Sequence, residues 1–255
     1  MRRRGFTIAE VLVTITIVGI VAAMTIPTLV ASYQKKVWAT TLSVSVSNLE
    51  KAMTTMIVKE GVRDLFRTKA WLDSENTIDA GVDPGEKSSF FHLLNKSFVV
   101  TEVYGPAYEF YSAGDPKGYN GVGPVIFSNA EIGFLSTNKA VYFATFYKNP
   151  PKYLTEEESV NLNLNLRAKA GNVIIDVNGK TKPNKFGYDL FAFVLGQDGK
   201  LYPYGTRELS IFDTETDVNT WDNASSASKC IDGDITYPGW ACTARMVENN
   251  YVMDY

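Results

Sequence analysis

An apolar segment near the amino terminus constrains the fold of this chain more than any other feature. It runs from Phe6 to Ala31, 26 residues, and Glu10 is its one charged residue. As a helix rising about 1.5 Å per residue, it would be about 39 Å long, which exceeds the roughly 30 Å hydrocarbon core of a bilayer. The segment therefore predicts a helix that spans a membrane.

The charges on either side of the segment favour one orientation. Three arginines, residues 2–4, precede it, and Lys35 and Lys36 follow it. Because cytoplasmic flanks carry the excess of Lys and Arg, this count favours a cytoplasmic amino terminus. The remainder of the chain would then lie outside the cytoplasm, where Cys230 and Cys242 could form a disulfide.

Glu10 is difficult to explain in a simple membrane anchor. A carboxylate within hydrocarbon costs about 2.5–3.5 kcal/mol on insertion scales, so it is expected to have a partner. A secretory signal cut near residues 21–23 is an alternative, but its apolar region would be shorter and the acid would stay unexplained. Cleavage between Gly5 and Phe6 would create an α-amine that can pair with Glu10 of the same chain or of a neighbouring one. A buried pair of this kind would fix the register of packed helices.

The residues Arg-Arg-Arg-Gly5-Phe6-Thr7-Ile8-Ala9-Glu10, with the Val/Ile/Ala-rich run after them, resemble the leader of type IV prepilins and type II secretion pseudopilins. That family has Gly before the cut, Phe or Met after it, and Glu at the fifth position of the mature chain. The resemblance implies cleavage after Gly5, N-methylation of Phe6 and assembly through the helix, with Glu10 and Pro27 as assembly residues. A proline at the position of Pro27 weakens a helix, although membrane helices tolerate proline in general.

The same resemblance implies partners and a location. The partners are other pilin or pseudopilin subunits, a prepilin peptidase, an inner-membrane assembly platform and the lipid bilayer. The protein would cross the inner membrane once and then enter a filament in the periplasm or at the cell surface. A nucleic acid is not expected as a partner, because the chain has a net charge of −3, and 22 basic against 28 acidic residues remain without residues 2–4.

Beyond the membrane, the helix is expected to continue to Glu60 and to stop at Gly61. Apolar residues repeat there at helical spacing on one face, namely Leu42, Val46, Leu49, Met53 and Met56. The chain thus divides into a leader (1–5), a transmembrane or filament-core helix (6–31), an amphipathic continuation (32–61) and a globular head (62–255).

The residue pattern of the head predicts a β-rich fold. Strands are predicted at residues 97–104, 125–127, 140–147, 172–177, 188–195 and 200–204, with a short helix at 89–94. The predicted fold class is α+β, in which the long N-terminal helix packs on an antiparallel sheet. This arrangement is also the fold that the family resemblance implies.

Oxygen-bearing side chains in the head suggest a calcium loop. They are Asp176, Asn178 and Asp189, with Asn184 as a further ligand. The spacing is not that of an EF-hand, and a plain meander with a long first loop is the alternative. Some major pseudopilins bind Ca²⁺ in a similar place, and no other cofactor is indicated.

Cys230 and Cys242 enclose an 11-residue loop. A bridge that closes a loop of this size is worth about 3 kcal/mol in the chain-entropy model. Type IV pilins often carry a disulfide loop near the carboxyl terminus, so the resemblance agrees with this pairing. Tyr237 and Trp240 in the loop would either contact a partner or pack beneath the loop.

An enzyme is not expected from this sequence. It has no Gly-rich phosphate loop and no nucleophile-elbow motif, and His92 is its single histidine. The head is large for a major filament subunit, so the sequence favours a minor structural subunit of a type IV pilus or type II secretion pseudopilus. A membrane-anchored binding module for adhesion, DNA uptake or substrate recognition is the first alternative, and a conventional exported enzyme is the second.

Overall fold

The computed structural model describes residues 7–72, 94, 98–104, 110–111, 132–146, 169–206, 230 and 239–253. In chain order the elements are α1 (Ile8–Glu60), a 3₁₀ helix (Leu65–Arg67), α2 (Lys69–Leu72), β1 (Val100–Tyr104), β2 (Ile132–Ser136), β3 (Val141–Phe146), β4 (Lys169–Asp176), β5 (Leu190–Gly196), β6 (Leu201–Pro203) and α3 (Cys242–Glu248). The chain forms two compact units, Met1–Val37 and Trp38–Tyr255.

The first unit contains the amino-terminal part of α1. Its large apolar side chains are exposed along the whole segment, from Ile8 at 82% to Leu29 at 70%. Among the described residues α1 is the one helix long and apolar enough to cross a membrane, although a secretory signal would pass the same test of length and composition. Because so much apolar surface is unfavourable in water, this segment requires an apolar environment.

In the second unit, α1 provides one wall of the core. The predicted apolar face is confirmed, because each of its members is buried: Leu42, Val46, Leu49, Met53 and Met56. The helix ends at Glu60, as predicted, and Gly61 follows with a φ of 63°. The Gly61 N–H donates to the Val58 carbonyl and the Val62 N–H to the Ile57 carbonyl, a capping arrangement that favours glycine.

The six strands form one antiparallel sheet in the order β1-β2-β3-β4-β5-β6, so each described strand pairs with its neighbours in the chain. Five of the six predicted strands overlap β1, β3, β4, β5 and β6, while residues 125–127 and most of the helix predicted at 89–94 lie outside the described residues. The α+β architecture predicted from the sequence is confirmed.

The sequence analysis missed β2 and α3. In β2, Gly133 interrupts the run of strand-forming side chains, and a Cβ atom there would lie 2.9 Å from the Phe143 ring on β3. The glycine is therefore required by packing, although it lowers the local strand propensity. The helix α3 has seven residues, too few to give a clear periodic pattern.

Side chains of the sheet alternate between two apolar clusters. On β3, Tyr142, Ala144 and Phe146 belong to the cluster that includes the buried face of α1. Val141 and Phe143 belong to a second cluster, which is rich in aromatic residues. Apolar clusters therefore lie on both faces of the described sheet.

Candidate functional site

The loop from Val177 to Asp189 is held by two buried carboxylates. The Asp176 Oδ1 atom accepts the backbone N–H groups of Asn178 at 3.0 Å and Gly179 at 2.8 Å, and Oδ2 accepts the Tyr111 hydroxyl at 2.6 Å. The Asp189 side chain accepts the N–H groups of Asn184 at 2.8 Å and Lys185 at 2.6 Å. Each of the four carboxylate oxygens thus accepts at least one hydrogen bond from the protein.

The environment of this pair disfavours charge. Burial raises the pKa of Asp176 well above its usual range, and the nearby Asp189 carboxylate raises it further. Burial raises the pKa of Asp189 to about 6, against hydrogen bonds from Lys185, Asn184 and Asn178 that lower it. Two carboxylates in one low-dielectric site repel each other, which favours protonation of one of them.

The structure brings the predicted calcium ligands together: Asp176 accepts the Asn178 N–H, Asp189 accepts the Asn184 N–H, and the Asp189 carboxylate raises the pKa of Asp176. The described residues contain no group of three or more Asp, Glu, His or Cys side chains placed to hold a metal. Ca²⁺ prefers six to eight oxygen ligands, so amide and backbone oxygens would have to complete the shell. The calcium site stays a prediction.

The two cysteines are joined, as predicted. The Cys230–Cys242 disulfide has a Cα–Cα distance of 4.7 Å, and both residues are buried. The Tyr188 side chain packs against the bridge, and the Arg245 Nη1 atom donates to the Cys230 carbonyl at 3.3 Å. The bridge therefore ties the carboxyl-terminal segment to the body of the head, while Tyr237 lies outside the described residues.

Trp240 packs inward from the end of the disulfide loop. Its ring centroid lies 5.6 Å from that of Tyr204 and 6.2 Å from that of Phe186, at the edge of the aromatic cluster. Its Nε1 atom is buried and has no hydrogen-bond acceptor in the described part of the chain. Of the two alternatives for this residue, the geometry favours packing against the head rather than contact with a partner.

The amino terminus of α1 is closed by a pair of polar side chains. The Thr7 N–H and hydroxyl donate to the Glu10 Oε2 atom at 2.8 and 2.9 Å, and the Glu10 N–H donates to the Thr7 hydroxyl at 3.2 Å. This is a capping box, which satisfies N–H groups that have no partner within the helix. The sequence analysis missed it, although the Thr-x-x-Glu pattern is visible in the sequence.

The other hydroxyl groups of the apolar segment, and that of Ser32 directly after it, bind their own helix. Each donates to a backbone carbonyl three or four residues earlier at 2.8–3.0 Å: Thr14, Thr16, Thr25, Thr28 and Ser32. These bonds reduce the cost of placing a hydroxyl in hydrocarbon. Glu10 is then the one side chain of the described segment from Ile8 to Ala31 that carries a formal charge.

Residues 1–26 match the prokaryotic N-terminal methylation motif. The chain carries the methylation motif typical of type IV pilins and pseudopilins. No curated protein and no solved structure matches the chain. The resemblance drawn from the leader residues is therefore confirmed at the level of the motif, which covers the first tenth of the chain and does not extend into the head.

The site residues expected from the resemblance fall in two parts of the chain. Gly5 and Phe6, the predicted cleavage and methylation residues, lie outside the described residues. Glu10 lies in the first turn of α1, and Pro27 lies within α1, which continues through it to Glu60. Their roles in assembly stay predictions. The motif and the apolar helix together suggest a membrane-anchored protein.

Proposed function

We propose that this protein is a structural subunit, of the minor type, of a type IV pilus or a type II secretion pseudopilus. A prepilin peptidase would remove residues 1–5, and Phe6 would be methylated at its new amino group. The observation that carries the proposal is the match of residues 1–26 to the methylation motif, continuous with an exposed apolar helix.

The four segments have separate roles under this proposal. Residues 1–5 are the leader, 6–31 the helix that first spans the inner membrane and then packs in the filament core, 32–61 its amphipathic continuation and 62–255 the head. Burial of the predicted apolar face from Leu42 to Met56 supports the assignment of the continuation to the head side of the chain. The partners are other subunits of the filament and the inner-membrane assembly platform.

Glu10 has two partners under this proposal. In the chain before assembly, Thr7 satisfies the carboxylate through the capping box. In the filament, the Phe6 amine of a neighbouring subunit would supply a full positive charge, which pairs more strongly with a carboxylate in a medium of low dielectric constant. Exchange of a neutral partner for a charged one would favour the assembled state.

Intact mass spectrometry of the membrane form tests the proposal. The chain is expressed with an active prepilin peptidase, and with an inactive peptidase as the control. We expect loss of residues 1–5 and a gain of about 14 Da, one methyl group, only with the active enzyme. A mature chain that begins near Ala23 or Ala31, or an untrimmed chain in the working filament, contradicts the proposal.

A further inference from the structure

The carboxylate oxygens of Asp176 are largely occupied by donors from the chain itself. The Oδ1 atom accepts two backbone N–H groups, those of Asn178 and Gly179, which together use both of its lone pairs. The Oδ2 atom accepts the Tyr111 hydroxyl at 2.6 Å, and the whole side chain is buried. About one of the four lone pairs of this carboxylate is left for any further partner.

Asp189 is bound in a similar way at the other end of the loop. Its Oδ1 atom accepts the Lys185 N–H at 2.6 Å and its Oδ2 atom accepts the Asn184 N–H at 2.8 Å, and this side chain is also buried. Most of the lone pairs of the two carboxylates are therefore already used, whereas Ca²⁺ takes six to eight oxygen ligands. The donor set predicted for calcium thus fits an ion poorly, because its two charged members are bound to the loop.

The same arrangement of donors occurs in a second turn of the sheet. In the turn between β5 and β6, the Asp198 Oδ1 atom accepts the Lys200 N–H at 3.2 Å, and its Oδ2 atom accepts the Tyr202 hydroxyl at 2.8 Å. A backbone N–H two residues later and a tyrosine hydroxyl are also the donor types that bind Asp176. This chain therefore uses an aspartate and a tyrosine to close a turn at two separate places.

The hydrogen bonds of the two carboxylates fix both ends of the loop at residues 177–189. Asp176 ends β4 and pairs with Leu190, which begins β5, so the loop starts and finishes at adjacent positions. Gly179 and Asn184 have φ angles of 63° and 48°, in the left-handed region, and the N–H group of each donates to one of the carboxylates. These bonds hold the backbone where it departs most from the ordinary strand or helix geometry.

We propose that Tyr111, Asp176 and Asp189 form an ion-free clamp, in which hydrogen bonds from the chain do the work of a calcium ion. The loop at residues 177–189 then keeps its shape without a divalent cation. The inference is independent of the proposed function, because it concerns only the Trp38–Tyr255 unit. The calcium hypothesis and the ion-free clamp predict opposite effects when the charge of Asp176 is removed.

The sign of that effect follows from the environment of Asp176. The donors that the described residues offer to it are all neutral, and the nearby Asp189 carboxylate repels its charge. A buried carboxylate in such a place carries a desolvation cost that a neutral amide of the same shape does not. A bound Ca²⁺ would reverse this balance, because the charge would then hold the ion.

Thermal melting of the full-length chain in detergent, followed by tryptophan fluorescence, tests the inference with Asp176→Asn. This variant keeps an oxygen for the two backbone N–H groups, and its amide N–H can donate to the Tyr111 oxygen, so it removes little besides the charge. Asp176→Ala removes the hydrogen bonds as well. Each protein is melted in EDTA and in Ca²⁺ at about 10 mM, above the roughly 10⁻⁴–10⁻³ M dissociation constants of extracellular calcium modules. Asp198→Asn is the matched control, because the half-buried Asp198 carboxylate has the same types of donor.

We expect the wild type to melt at the same temperature in EDTA and in Ca²⁺, and Asp176→Asn to melt no lower than the wild type in either buffer. Asp176→Ala and Tyr111→Phe should melt several degrees lower in both, because each leaves buried polar groups without a partner. Asp198→Asn should change the melting temperature little. Equilibrium dialysis against Ca²⁺ should show no more calcium with the wild type than with Asp176→Asn.

A melting temperature that rises with Ca²⁺ in the wild type and not in Asp176→Asn overturns the inference in favour of a calcium site. A loss in Asp176→Asn as large as that in Asp176→Ala also overturns it, since the charge itself would then be needed. Failure of Asp176→Ala to fold counts as the large loss expected of that variant, and Asp176→Asn still decides between the two accounts.

Discussion

The Ala192 N–H on β5 donates to the Thr243 hydroxyl at 2.8 Å, across 51 residues of sequence. Past the last pair of β6, Phe193 with Pro203, the Tyr204 N–H still donates to the Ala192 carbonyl at 3.0 Å, but the Ala192 N–H binds Thr243 instead of β6. The helix α3 supplies the next hydrogen bonds at this place, because the Ala244 N–H donates to the Tyr204 carbonyl at 3.2 Å. A carboxyl-terminal helix thus completes the hydrogen bonding of the sheet edge.

Replacement of Thr243 by Val should destabilise the head. The substitution keeps the shape of the side chain and removes the acceptor of a buried N–H group, which costs about 1–3 kcal/mol. Urea unfolding of the full-length protein in detergent, followed by tryptophan fluorescence, measures the loss. Thr206→Val is the matched control. It removes the hydrogen bond from the Thr206 hydroxyl to the Pro203 carbonyl, but this carbonyl still accepts the Thr206 N–H. Equal losses in the two variants would show that Thr243 has no special role at the edge.

Glu10→Ala should leave membrane insertion intact and impair filament assembly or methylation of Phe6. Removal of the carboxylate lowers the cost of insertion but leaves no partner for the new α-amine. Filament yield and the mass of Phe6-containing peptides are the measurements.

Thr7→Val separates capping from assembly. It removes both bonds of the Thr7 hydroxyl, a loss of about 1 kcal/mol, and keeps the Glu10 carboxylate. We expect near-normal filaments from this variant. If Thr7→Val lowers filament yield as much as Glu10→Ala does, Glu10 acts by capping the helix, and our account of assembly is wrong.

The Tyr142 hydroxyl should make the head sensitive to alkaline pH. It donates to the Ser45 carbonyl at 3.2 Å, and burial raises its pKa to about 12 from 10.0. A raised pKa means that the folded state holds the proton more tightly, so this stabilisation is complete below pH 10 and is lost as the pH rises through 12. The full effect is about 3 kcal/mol.

Tyr142→Phe is expected to remove this dependence. The variant should lose about 1 kcal/mol near neutral pH for the missing hydrogen bond, and its free energy of unfolding should fall less between pH 10 and 12 than that of the wild type. Parallel curves across that range would contradict the assignment of the shift to Tyr142.

The calcium hypothesis predicts a higher melting temperature in Ca²⁺ than in EDTA. At a hundredfold excess over the dissociation constant, a ligand of the folded state adds about 2.7 kcal/mol. Asp189→Asn should abolish the increase, since it removes a charged ligand. The ion has to replace hydrogen bonds that Asp176 and Asp189 already accept, and an unchanged melting temperature in the wild type rejects the site.

Local patterns in the sequence predicted most of the fold. The spacing of apolar residues located the buried face of α1, and the Asp198-Gly199 pair located the turn before β6, where Gly199 has a φ of 79°. The contact between Thr243 and Ala192 could not be predicted, because it depends on where β6 stops and how α3 docks. The Thr7–Glu10 capping box was predictable from the Thr-x-x-Glu spacing alone.

The pairing of each described strand with its predecessor has a consequence for biogenesis. If the head crosses the membrane amino terminus first, β1 to β6 can be added one at a time as they emerge, without waiting for a distant partner. The apolar face of α1 is synthesised before the strands, so it has no packing partner until the sheet has formed. Cys242 follows all six strands in the chain, so oxidation closes the Cys230 bridge only after the described sheet has been delivered.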